Sequence, residues 1–142
     1  MPQPSFVHLR LHSEFSVQDG ITRIKDAVKL AAADQQGALA LTDLGNTFGL
    51  IKFYKAAQGA GVKPIMGADI WVTNVNDLVQ PHRMLLLVKN RAGYLRLCDL
   101  LSQAYLQTDR LTHGQIHPEW LTQHPELKLG LIALSGSHLG DV

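Results

Sequence analysis

A single cysteine, Cys98, stands in 142 residues. An internal disulfide is excluded, and the composition suits a reducing cytoplasm. No apolar run reaches the length that spans a membrane. Residues 1–5, Met-Pro-Gln-Pro-Ser, carry neither the basic region nor the apolar core of a signal peptide. Charge of one sign is also missing. Thirteen Lys plus Arg face twelve Asp plus Glu, a net +1, and no basic stripe marks a duplex-DNA binder. Aromatic residues are scarce at 6%, and neither repeats nor low-complexity tracts occur. What is present is 46% apolar and 18% charged, enough for a core and too little charge for disorder. The length corresponds to one domain, residues 1–142, or to a piece of a larger one.

One stretch near the start organises the rest: Phe6-Val7-His8-Leu9-Arg10-Leu11-His12-Ser13-Glu14-Phe15-Ser16-Val17-Gln18-Asp19-Gly20. It begins as a strand. Alternation then places His8, Arg10 and His12 on one face and Val7, Leu9 and Leu11 on the other. A polar turn with Ser13, Glu14, Ser16 and Asp19 follows, closed by the Asp-Gly turn signal. Imidazoles close to a carboxylate are the donors a Zn, Mn or Fe site uses. Histidines at a strand end equally fit surface or half-buried groups. Arg10 has no lone pair to offer, so it is no ligand.

Periodicity organises the remainder. Ile24, Ala27, Val28 and Ala31 make one helical face, with Thr22 as cap and 35–37 as the stop. The all-apolar run 38–41 reads as a strand covered on both sides, ending in the polar residues 42–46. A second helix holds Phe48, Ile51, Phe53, Tyr54 and Ala57, with Gly45-Asn46-Thr47 as its cap. Residues 62–72 form a strand, extended at Pro64 and bent at Gly67. A loop at 74–81 leads to a buried strand at 84–88. Asn90 caps a long helix with Tyr94, Leu97, Cys98, Leu101 and Tyr105 on one face. A polar loop at 109–117, a short helix begun by Pro118, a strand at 129–134 and a turn at 135–140 complete the chain.

Strands alternating with helices predict an α/β architecture with mainly parallel strands. Functional groups of such folds gather at the C-terminal strand ends, here His12, Asp43, Asp69 and Ser137. The last turn lacks a closing helix, which reads as a fragment of a longer polypeptide. Several groups take plain structural readings. Trp71 and Trp120 serve as core or interface anchors, and Cys98 as a small buried hydrophobe. His113, His117 and His124 read as exposed, and Lys52, Lys55 and Lys63 as a solvated face.

His8-Leu9-Arg10-Leu11-His12-Ser13-Glu14-Phe15-Ser16 resembles the first motif of the PHP (polymerase and histidinol phosphatase) family, and Leu41-Thr42-Asp43-Leu44-Gly45-Asn46 the second. Three further stretches are similar to the N-terminal domain of bacterial replicative DNA polymerase III alpha subunits. They are Gly49-Leu50-Ile51-Lys52-Phe53-Tyr54, Gly61-Val62-Lys63-Pro64-Ile65-Met66-Gly67-Ala68-Asp69, and Gly93-Tyr94 with the residues up to Tyr105. The resemblance implies part of a distorted, mainly parallel β/α barrel, the PHP fold, truncated after about half of the domain.

Carried over position by position, the resemblance also implies a damaged metal site. Metal-binding members have histidine where Arg10 and Leu44 stand, and a histidine opening a strand where Arg83 stands. His12 and the acid at Asp19 are kept, Asp69 replaces a glutamate, and Ser137 a cysteine. Two arginines at a cation site remove ligands and repel the ion. The remnant set is therefore His8, Arg10, His12, Asp19, Asp43, Leu44, Asp69, Arg83 and Ser137, with no metal expected; any residual ion would use His12, Asp19 and Asp69. Arg10 is expected where a metal would sit, paired with Asp19, Asp69 or Asp43.

The resulting expectation is a non-catalytic scaffold that holds the proofreading exonuclease (epsilon) subunit and the rest of a DNA-directed DNA polymerase, a nucleotidyltransferase of DNA replication. DNA is met through the parent, whose own chemistry uses Mg. The alternative is an active PHP phosphoesterase or 3′–5′ exonuclease, with Zn or Mn held by substitutes such as His82, Glu14 or His138. A free-standing binding module is the third reading. Sheet edges left open are expected to let the fragment self-associate.

Overall fold

Short apolar stretches with two kinds of period set the elements of the computed structural model, which describes residues 6–77, 79–107, 113–123 and 129–140. Helix α1 (Ile24–Ala33) buries Ile24, Val28 and Ala31 along one face. It stops where Gln35 takes φ +56° and Gln36 returns its N–H to the Ala31 carbonyl. Strand β1 (Ala38–Leu41) leads to α2 (Leu50–Gly59), whose buried side is Leu50, Phe53 and Ala57. Then come β2 (Lys63–Val72), β3 (His82–Val88), α3 (Arg91–Leu106), β4 (Gln115–Ile116), α4 (Pro118–Thr122) and β5 (Leu131–Ser135). Asn90 caps α3, its side chain accepting the Gly93 N–H.

The sheet runs β1-β2-β3-β5, with β4 paired to β2. Pairings β1–β2 and β2–β4 are parallel; β2–β3 and β3–β5 are antiparallel. The loop between β2 and β3 is too short for the crossover helix a parallel pair needs, so the two strands form a hairpin. β2 serves two neighbours in succession. Its first four residues pair with β1, and from Gly67 onward it pairs with β3. Glycine is needed at that switch, because a Cβ on Gly67 would run into the Leu86 carbonyl oxygen. The turn lets Asp69 arrive beside Leu44, just past the end of β1.

Two apolar clusters flank the sheet. α1, α2 and β1 enclose Phe53, Leu41 and Val62. α3, β4 and the centre of β2 enclose Leu97, Leu100, Ile70 and Ile116. A third, smaller set is Ala40, Leu85 and Leu87.

Several expectations change. Residues 6–11 form no strand. They run extended beside β1, where the His8 and Leu11 carbonyls accept from Ala40 N–H and Thr42 N–H. Thr22 is no cap, since it bridges to Ser13 while Arg23 holds the N-cap position without a side-chain bond. Phe48 precedes α2 and is exposed, as is Ile51. Asn46 ties its own turn together rather than capping α2. Within the expected 109–117 loop, Gln115–Ile116 pairs with β2. Residues 109–112, His124 and the last two positions lie outside the described residues.

Candidate functional site

The site is centred on one carboxylate. Asp69 points from β2 into the interior, with its side chain 1% exposed. Strand alternation and the β2–β3 register put Trp71 and its partner Arg83 on the same sheet face. Arg83 donates from Nε to Oδ1 at 3.1 Å and from a terminal NH2 to Oδ2 at 2.8 Å. Its guanidinium also lies 4.3 Å from the Trp71 ring centroid. A side chain 5% exposed is thus held by a carboxylate fork and an indole face.

The other partners come from the extended segment beside β1. Arg10 Nε donates to Asp69 Oδ2 at 2.8 Å, with a terminal nitrogen at 2.6 Å from the same oxygen. His12 meets Asp69 Oδ2 through Nε2 at 2.9 Å and Asp19 Oδ2 through Nδ1 at 2.9 Å. Both ring nitrogens face carboxylate oxygens, an arrangement that the doubly protonated imidazolium satisfies. The hydrogen bond to Asp69 accordingly raises the His12 pKa against the opposing effect of burial, with the Asp19 charge adding to the rise. Burial alone would push the Asp69 carboxyl up. Hydrogen bonds from His12 and Arg83, and the charges of Arg83 and Arg10, reverse that and bring it down to about 2.

A second buried carboxylate has a separate task. Asp43, just past β1, accepts from Ser13 N–H at 2.6 Å, Ser13 Oγ at 3.0 Å and Ser16 Oγ at 2.9 Å. Ser16 Oγ in turn accepts the Leu44 N–H, and Asn46 donates to the Phe15 carbonyl. These bonds fasten the 3₁₀ turn Glu14–Ser16 onto the end of β1. The polar turn was legible in the sequence; its attachment to Asp43 was not, because Ser13 and Ser16 lie about thirty positions away along the chain.

Of the remnant positions, then, Arg10, His12, Asp19, Asp69 and Arg83 come together. Arg10 takes Asp69 from its three candidate partners. Leu44 is buried beside Asp69 as an apolar neighbour. His8 lines the same cavity as Arg10 and Asp69 and packs edge-on against Phe6, centroids 4.7 Å apart. Ser137 sits exposed in the turn Ser137–Leu139 after β5. His113, expected in solvent, is half-buried and stacks on Trp71 at 5.2 Å. His117 stays exposed, its ring edge against Trp120. Lys52 pairs with Glu14 at 2.9 Å and lies over the Phe15 ring.

The donor set does not fit the metal cluster that the resemblance implies for metal-binding members. Asp69, the central carboxylate, has both oxygens engaged by two guanidiniums and an imidazole. Asp43 faces two serines, and Leu44 offers no donor. Among the described residues, no group of three His, Cys, Asp or Glu side chains is placed to hold an ion. What the arrangement does chemically is neutralise a buried charge with fixed cations.

Comparison with known proteins agrees with this architecture. Residues 8–142 match the PHP domain family. The chain is 46% identical over 143 residues to DNA polymerase III subunit alpha of Neisseria meningitidis serogroup A, and 45% identical over 145 residues to that of Escherichia coli K12. Each alignment covers 100% of this chain and 12% of the relative, so the chain spans about an eighth of their length. An amidohydrolase from Chromobacterium violaceum, solved with bound sulfate and no metal, superposes with a TM-score of 0.55. It shares 24% identity, covering 69% of this chain and 32% of that one. A protein of Bifidobacterium adolescentis, described as a metal-dependent phosphoesterase, gives a TM-score of 0.51 at 18% identity, over 84% of this chain and 40% of that one. At such identities the two structures speak for the fold alone. The chain belongs to the PHP domain family.

Proposed function

We propose that this chain is the PHP region of a bacterial DNA polymerase III alpha subunit and works there as a non-catalytic scaffold. The observation that carries the reading is the saturation of Asp69 by Arg10, Arg83 and His12. Fixed cations take over the charge balance that metal ions supply in metal-binding PHP members. Identity of 46% and 45% to two alpha subunits over the full chain supports the choice of parent. In this reading the parent polymerase uses Mg at a centre elsewhere, and this chain carries neither Zn nor Mn. The partners are the exonuclease (epsilon) subunit and the remainder of the alpha subunit, in the cytoplasm. No helix among the described residues is long and apolar enough to cross a membrane. The β5 edge, with Ile132 and Leu134 exposed, is the surface through which the isolated chain self-associates.

The test is metal content. The purified chain is dialysed against Zn and Mn, washed, and analysed by mass spectrometry, then assayed for phosphoesterase and 3′–5′ exonuclease activity. The expected result is no stoichiometric metal and no hydrolysis. One or more ions held tightly, with hydrolysis that a chelator abolishes, would establish an active PHP enzyme instead.

A further inference from the structure

The outer layer of the sheet has a gap. β2 and β3 are joined by a short loop where a parallel unit would lay a helix across the sheet. α2 packs on α1 and β2, and α3 packs on β3 and β4. Between the two helices runs a groove of about 410 Å³. Leu50, Ile51 and Tyr54 of α2 form one wall, Tyr94 of α3 the other, and Met66 and Val88 lie at the strand side. Ile51 is 66% exposed and Tyr54 39%, so apolar and aromatic surface faces outward. Scattered exposed apolar residues need no explanation, but these line one depression.

The charge around the groove has a single sign. Lys55 stands one helical turn beyond Ile51, and Lys89 and Arg91 flank Asn90 at the start of α3. All three are exposed. Residues 50–61 and 86–98 contain no Asp or Glu. Among the described residues, none of the three cations forms an ion pair. The first turn of α3 also lacks an acidic residue, so its positive dipole end adds to the same field. In a chain whose overall charge is only +1, this rim is a local concentration.

We propose that the groove seats an amphipathic helix of a partner protein. The apolar stripe of that helix lies on Ile51, Tyr54 and Tyr94, and its acidic flank meets Lys55, Lys89 and Arg91. Helix-in-groove recognition uses apolar anchors at helical spacing, and tyrosine and arginine are the residue types that carry such interfaces. Opposite charge along the rim sets the register and speeds encounter. The inference stands on the groove itself and is independent of the polymerase reading.

Two stapled helical peptides of about 18 residues test it, each with the same leucine stripe, one flanked by Glu and one by Lys. Binding to the full chain is read by fluorescence anisotropy. The Glu peptide is expected to bind at least about tenfold more tightly than the Lys peptide. That preference reverses when Lys55→Glu and Arg91→Glu are combined. Ile51→Asp is expected to weaken the Glu peptide at least about tenfold while the circular-dichroism melt stays that of the parent chain. Equal affinity for the two peptides overturns the proposal. So does binding that Ile51→Asp leaves intact, or a dimer in sedimentation velocity that Ile51→Asp dissociates, because a second copy would then own the groove.

Discussion

Arg83 and Asp69 meet as a two-bond fork across the β2–β3 hairpin, at 3.1 Å and 2.8 Å, with both side chains withdrawn from water. Breaking a buried pair by removing one partner leaves the other charge uncompensated. Arg83→Ala is therefore expected to cost about 3–5 kcal/mol. Arg10 meets the same carboxylate, but its side chain is 42% exposed. Water screens that contact, so Arg10→Ala should cost about 1 kcal/mol or less. Urea unfolding of the two variants gives the comparison. Replacing both partners, Asp69→Leu with Arg83→Met, should recover most of the loss; equal losses for the two arginine variants would contradict this ranking.

Stability should fall on both sides of a mildly acidic plateau. Asp69 titrates at about 2 when folded and 3.8 when unfolded, so its ionised form stabilises the fold above the unfolded value. That contribution, on the order of 2 kcal/mol, disappears as pH drops towards the folded value. His12 runs the other way. Its pKa is raised above 6.5, so the protonated ring stabilises below 6.5, and the gain is lost as pH climbs through the folded value. Urea midpoints measured against pH should show both limbs; His12→Gln should flatten the alkaline one and also shorten the acid one, because His12 helps to hold the Asp69 carboxyl down.

Restoring histidine at Arg10 and Leu44 should not restore a metal. Arg83 would still occupy both oxygens of Asp69. The double variant Arg10→His, Leu44→His is expected to emerge from Zn dialysis without stoichiometric metal. Adding Arg83→His frees the carboxylate and should raise retention to about one ion per chain. Full loading of the double variant would show that Arg83 is not the obstacle.

Asp43→Ala should loosen the turn at Glu14–Ser16. Three donors lose their acceptor in a place closed to water, for a cost of about 3 kcal/mol. Amide hydrogen exchange should accelerate at residues 13–16 first. A variant with unchanged protection there would mean that Asn46 and the bridge to Thr22 hold the turn without Asp43.

Much of the candidate site was legible residue by residue. Arg10, His12, Asp19, Asp69 and Arg83 are positions that the resemblance to the PHP family implies, and Arg10 is the internal cation expected there. The stack of Trp71 between Arg83 and His113 was not legible. Trp71 and Arg83 become neighbours only through strand register, and His113 lies in a stretch that the sequence marks as plain polar loop.

Local pattern alone determined that α1 and β1 form, because a helical face such as Ile24, Val28 and Ala31, or a run such as 38–41, needs only its own spacing to bury itself. The absence of a strand at 6–11 and the pairing of β4 were decided by neighbours distant in sequence. It also determined which site positions lack a metal donor, since arginine and leucine offer no lone pair in any fold. Partnership was decided by the tertiary structure. Asp69 lies 59 residues from Arg10 and 14 from Arg83, and only the change of neighbours at Gly67 points it at both. Which carboxylate Arg10 takes is a matter of distance in space and of which charge is most deeply desolvated, and no spacing along the chain carries that information.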